Sequence, residues 1–178
     1  MHLLENIMYQ ISGLFLPPVL IAIVLLFFYS IYVLGDFVTQ FYLRRKNKPQ
    51  FIDNISNWYN GKTEPKPVRG YDLLNFAIKQ QDNTEDTLSV YALKNLEGVR
   101  IITRIAPMLG LVATMIPMGP ALKSLANGNI QGISENLIVA FSAVIFGLIV
   151  SSITFWIAAV RKRWLADEMV LLLKNIGA

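Results

Sequence analysis

Three stretches of this chain carry no Asp, Glu, Lys, Arg or His over a length that can cross a bilayer. They are Leu14 to Leu34 (LFLPPVLIAIVLLFFYSIYVL), Ile105 to Leu122 (IAPMLGLVATMIPMGPAL) and Leu137 to Val160 (LIVAFSAVIFGLIVSSITFWIAAV). A hydrocarbon core about 30 Å thick takes roughly 20 apolar residues as α-helix, because a helix satisfies its own backbone polar groups in lipid. That constraint makes the chain an all-α membrane protein with three transmembrane helices, 14–34, 105–122 and 137–160. Composition agrees: 54% of the 178 residues are hydrophobic, 16% are charged and mean hydropathy is +0.46, whereas soluble domains carry about 25% charge. The first stretch is expected to remain a span and not a cleaved leader. MHLLENIMYQ before it has no Lys or Arg, and no small-residue cleavage site follows.

Of the 16 Lys and Arg, 15 fall in 36–104 or 161–178, and only Lys123 lies elsewhere. RRKNK (Arg44 to Lys48) follows the first span and RKR (Arg161 to Arg163) follows the third. The positive-inside rule then puts the N-terminus outside and the C-terminus in the cytoplasm of a multi-pass protein, for which the plasma (inner) membrane is the expected location. Segments 35–104 and 161–178 are cytoplasmic, and 123–136 is an outer turn. Charges so placed anchor a topology, so the pI near 9.4 implies the lipid bilayer as partner and no nucleic acid. With no Cys and a single His, His2, neither disulfides nor a metal cluster is expected.

Residues 1–13 set Leu3, Leu4, Ile7, Met8 and Ile11 at helical spacing, which predicts an amphipathic segment on the outer face. Pro17 and Pro18 fit the first turn of the first span, where a missing N–H costs little. Tyr29, Tyr32, Tyr42 and Trp164 read as interface aromatics. Within 35–104, NGKTEPKPVRG (Asn60 to Gly70) reads as a turn or linker and YDLLNFAIKQQ as a helix. A cap at Asn83 or Thr84, followed by Glu85 and Asp86, starts a further helix. Its apolar positions Leu88, Ala92, Leu96, Val99 and Ile102 lead into the second span without a break. The third span continues inward as a C-terminal helix through Trp164, Leu165, Met169 and Leu172.

In lipid, helices associate where small residues permit close approach. Ala106, Gly110, Ala113, Thr114, Pro117 and Ala121 stripe one face of the second span. Ala140, Ala143, Gly147, Ser151, Thr154 and Ala158 do the same in the third. Two readings of the stripes stand side by side: the spans pack on each other, or one stripe faces a partner helix or an ion path. A proline inside a helix costs about 3 kcal/mol and frees a carbonyl, tolerated in a membrane where protein or water satisfies it. Pro117 therefore predicts a kink toward something polar, while Pro120 reads equally well as a helix end near the interface. Because no span holds an acid or base, a proton path here needs a carboxylate from another chain. Three helices also enclose no lumen, so a homo-oligomer is implied. There is no phosphate loop, metal-ligand cluster or nucleophile triad, so no enzyme and no cofactor is expected.

The words Pro107-x-Leu109-Gly110-Leu111-x-x-Thr114, together with Gly147-Leu148 in a small-residue span that ends in a basic cluster, resemble the MotA/TolQ/ExbB proton channel family. The three-span layout with a large segment between the first two spans is similar to the ExbB/TolQ branch. IPMGPAL (Ile116 to Leu122) looks like a variant found in archaeal and some bacterial members. The resemblance covers residues 100–165 and, by topology, the first span. It implies a ring, a pentamer, around two helices of a single-span ExbD/TolR/MotB-like partner that carries the proton-binding Asp. Thr114 then matches the family's second-span threonine and forms the ion pathway with Ser142 and Ser151. Pro107, Gly110, Ala113, Pro117, Ala140, Ala143, Val144 and Gly147 pack the helices or line the pore.

Three departures accompany the match. Val144 stands where the family has a second threonine. Val139 stands where ExbB-like members have a Glu, with Glu135 one turn earlier. Ala113 and Pro117 occupy places where glycines are common. The expected function is a proton-channel or stator subunit that uses the ion-motive force to energise a partner complex. The alternative is a non-conducting scaffold of the same fold that holds a partner helix.

Overall fold

The computed structural model describes residues 2–60, 64–80 and 84–176. They form four helices, α1 (His2–Tyr59), α2 (Asp72–Lys79), α3 (Glu85–Ala126) and α4 (Ile130–Ile176), with no strand among the described residues. α1, α3 and α4 each hold a stretch long and apolar enough to cross a membrane. Two compact units are drawn from them: residues 1–32 with 101–155, and residues 33–100 with 156–178.

α1 is longer at both ends than the sequence predicts. It begins at His2, so Pro17 and Pro18 lie inside it and interrupt its hydrogen-bond ladder instead of opening it. At the other end it continues through RRKNK to Tyr59. Of the expected amphipathic stripe, Ile7 and Ile11 are exposed, while Leu3, Leu4 and Met8 lie outside the described side chains. The alternative cap Asn83 also lies outside the described residues.

In the first unit, Ile23, Ala113 and Ala143 are buried together, with Val19, Leu20 and Leu109 packed against them. The turn between α3 and α4, expected over 123–136, contracts to residues 127–129. The reason is hydrogen bonding. Gly128 takes a φ of +69°, open to glycine at little cost. Its N–H donates to Leu125 O at 3.0 Å, and that of Asn129 to Ser124 O at 2.9 Å, which is the Schellman pattern. Asn129 then caps the next helix, its Oδ1 accepting from the Gly132 N–H at 3.0 Å.

The second unit has a core of larger side chains, among them Phe51, Ile55, Leu73, Leu74, Leu88, Leu96, Leu165 and Leu172. Phe51 stacks on Tyr71 with ring centroids 3.9 Å apart, and Phe76 on Tyr91 at 4.1 Å. Residues 64–70, which read as a linker, are held by three asparagine amides. Asn54 brackets Lys66 by exchanging hydrogen bonds with its N–H and C=O, and Asn75 does the same for Val68. Asn47 donates to Arg69 O. Side-chain amides here satisfy backbone groups that no helix or strand pairs.

Candidate functional site

The small-residue stripes meet each other in the first unit. A Cβ added at Gly147 would lie 2.7 Å from Ala106 O and 3.3 Å from Gly110 Cα; one added at Gly110 would lie 3.3 Å from Val144 Cα. Only glycine permits so close a crossing. Ala106, Gly110, Ala113 and Pro117 of α3 are buried, as are Ala140, Ala143 and Gly147 of α4, while Pro107 and Val144 are half-buried at the margin.

Next to that crossing lies a hydroxyl cluster. Pro107 has no N–H to give the carbonyl four residues before it, Thr103 O. Ser151 supplies the missing donor from α4, its Oγ–H bonding Thr103 O at 2.8 Å. Thr103 Oγ1 lies 3.0 Å from Thr154 Oγ1, and Thr154, fully buried, donates to Val150 O at 2.8 Å. The sequence singled out Pro107, Ser151 and Thr154 separately. It missed Thr103, although its place four residues before a proline in a span was the available signal.

The three hydroxyls expected in the ion pathway are not gathered into one place. Ser151 belongs to the Thr103 cluster. Thr114 lies 11 residues further along α3, about 16 Å by helical rise. It is half-buried at the edge of the packed face, and its Oγ1–H donates to Leu111 O of its own helix at 2.7 Å. With its proton engaged there, Thr114 Oγ1 offers lone pairs to an outside donor. Ser142 is exposed, about 140° round α4 from Gly147. Leu111 and Met115, flanking Thr114, and Ile138 and Ile145, flanking Ser142, are also exposed.

The second unit contains the most polar buried group among the described residues. Glu168 of α4 is 1% exposed. Its Oε2 accepts from the Leu73 and Leu74 N–H groups at 3.1 and 3.4 Å, and its Oε1 pairs with Arg44 of α1. α2 has no side-chain cap of its own at Tyr71, so Glu168 caps it from a distant helix, where the dipole favours an anion. Arg44 lies over the Tyr71 and Trp164 rings, 4.9 and 4.7 Å from their centroids. Burial pushes its guanidinium down to about 10, against the opposing pull of Tyr71, Asp72 and Asp167; it stays protonated at neutral pH. Sequence reasoning missed this pair. The signal was an acid at 168 on the helix face that Leu165, Met169 and Leu172 share.

The family model that matches is that of the MotA/TolQ/ExbB proton channel family, over residues 71–174. No curated protein and no solved structure matches the chain.

Proposed function

Because the chain belongs to the MotA/TolQ/ExbB proton channel family, we propose that it is the stator-type channel subunit of an ion-driven membrane motor. The family is one of channels and not of enzymes, and its members oligomerise and work with partner subunits. Five copies form a ring, of the ExbB/TolQ kind, around the helices of a single-span ExbD/TolR/MotB-like protein. That partner brings the Asp that takes up and releases the proton. The distribution of Lys and Arg sets the N-terminus outside and both basic segments inside.

One observation carries the reading. The spans hold no acid or base, yet Thr114 keeps an accepting oxygen at the edge of the packed face. A protonated carboxyl on a partner helix has one O–H to donate, and Thr114 Oγ1 is suited to receive it. Pro117 adds to this by freeing the Ala113 carbonyl beside Thr114. Ser142 extends the polar surface on α4, and Ser151 maintains the Thr103 carbonyl. Most of the apolar span surface is exposed in the single chain, as a ring subunit needs for its neighbours and for lipid.

The test is reconstitution with the partner in vesicles and measurement of proton uptake under an imposed potential. Wild type should conduct, Thr114→Ser should retain flux, and Thr114→Val should lose most of it. Absence of flux from the intact complex, with Thr114→Val unchanged in its partner-driven activity, sinks the reading. The non-conducting scaffold then replaces it, and Val144 packed against Gly110 favours that second reading, because no hydroxyl stands there.

A further inference from the structure

We propose that the second unit holds a headgroup site for an anionic phospholipid between α1 and α4, just past their apolar runs. The observation is a cavity of about 550 Å³. Its cations are Arg44, Arg45 and Lys48 from α1 and Arg163 from α4, against two carboxylates, Asp167 and Glu168. Glu168 is engaged by Arg44 and two backbone N–H groups. Asp167 alone thus faces Arg45, Lys48 and Arg163, none of which forms an ion pair among the described residues. Arg44 Nε is buried and has no hydrogen-bond partner. A guanidinium donor in that state favours an incoming anion.

The remaining walls are apolar, with Phe41, Trp164 and Leu171 among them. Cations beside an apolar wall match a phosphate joined to hydrocarbon better than they match an acidic peptide, which carries no such tail. Arg163 gives the position: it comes three residues after the third apolar run, about 5 Å along its helix, within a headgroup layer that reaches about 5–7 Å beyond the hydrocarbon. Arg44, Arg45 and Lys48 come ten to fourteen residues after the first run, on the aqueous side of that layer, and their long side chains extend back along apolar surface toward it. Basic pockets between helices at this depth recognise anionic headgroups. The proposal rests on where the spans end and is independent of ion conduction, so its failure leaves the channel reading standing.

The protein, purified in detergent, is exchanged with equal amounts of phosphatidylglycerol and phosphatidylcholine, and the retained lipids are counted by native mass spectrometry. Wild type should retain phosphatidylglycerol about 10-fold over phosphatidylcholine. The R45Q/K48Q/R163Q variant, which spares the Arg44–Glu168 pair, should bring the two lipids to parity. The charge-matched K46Q/K162Q/K174Q variant, altering exposed lysines outside the cavity, should keep the preference. Circular dichroism and elution volume establish that both variants are folded; should the first not fold, R163Q alone must still lower the preference. Equal loss in both triple variants would show diffuse charge attraction and overturn the site. So would parity in wild type, or an oligoglutamate peptide that binds wild type where phosphatidylglycerol does not.

Discussion

The two units solve one problem, holding long helices together, with opposite materials. The first is cored by Ile23, Ala113 and Ala143 and drawn close by Gly110 and Gly147. The second is cored by Leu and stacked aromatic rings, and it buries an ion pair. In hydrocarbon, apolar surface gains nothing by leaving lipid for protein, so contact distance and hydrogen bonds must supply the association. In water the gain follows apolar area, roughly 25 cal/mol per Å², so large side chains are favoured. The same three helices are therefore written in small residues in one unit and bulky ones in the other.

That contrast can be broken most sharply at the buried pair. Glu168→Ala strands the Arg44 guanidinium and two α2 N–H groups, and should cost about 3–5 kcal/mol in thermal or denaturant unfolding in detergent. Arg44→Met with Glu168→Leu should recover most of that loss. A loss under about 1 kcal/mol for the single variant would mean that the pair is replaceable by solvent. Next in size is Gly147→Ala. The new Cβ would press on backbone, Ala106 O, which cannot swing away as a side chain would; about 1–3 kcal/mol is expected. Unfolding and oligomer retention both report it.

A smaller effect tests the hydroxyl cluster. Ser151→Ala removes the donor that serves the carbonyl left free by Pro107, at about 0.6–1.7 kcal/mol. In a Pro107→Ala background the backbone N–H returns, and the same substitution should cost close to nothing. A double-mutant cycle without coupling would show that Ser151 is incidental to Thr103. The smallest effect has the opposite sign. A Cβ added at Gly98, in the second unit, would meet nothing within 4 Å. Gly98→Ala should stabilise α3 by about 0.5–1 kcal/mol, the reverse of Gly147→Ala.

Much of the fold was legible because lipid restricts the alphabet. A span must be free of charge, so three runs without Asp, Glu, Lys, Arg or His announce three long helices. The stripes were legible too, but which surface each one faces was not, because spacing fixes a face and not its neighbour. Pro17 and Pro18 misled the reading of α1, since a proline pair looks alike at a helix start and inside one tolerated in a membrane. The segment 64–70 looked loose because its order comes from Asn47, Asn54 and Asn75, partners up to 22 residues away. Glu168 was hidden for the same cause at longer range: its partners lie 94 and 95 residues away in the chain, and local periodicity carries no information about them. Of the site, Thr114 was found by its matching motif, whereas Thr103 needed the proline and the serine to be read together.

The three-residue connection between α3 and α4 bears on where its turn can lie. Its three amides are already bonded, those of Asn127, Gly128 and Asn129 donating to the carbonyls of Lys123, Leu125 and Ser124, and its immediate surroundings carry only Lys123 and Glu135 as charges. Each bare amide near an apolar layer carries a desolvation cost, and this connection strands none of its own. A connection whose amides are satisfied within the turn can lie close against the apolar layer that flanks both helices, with no loop of bare donors to keep in water.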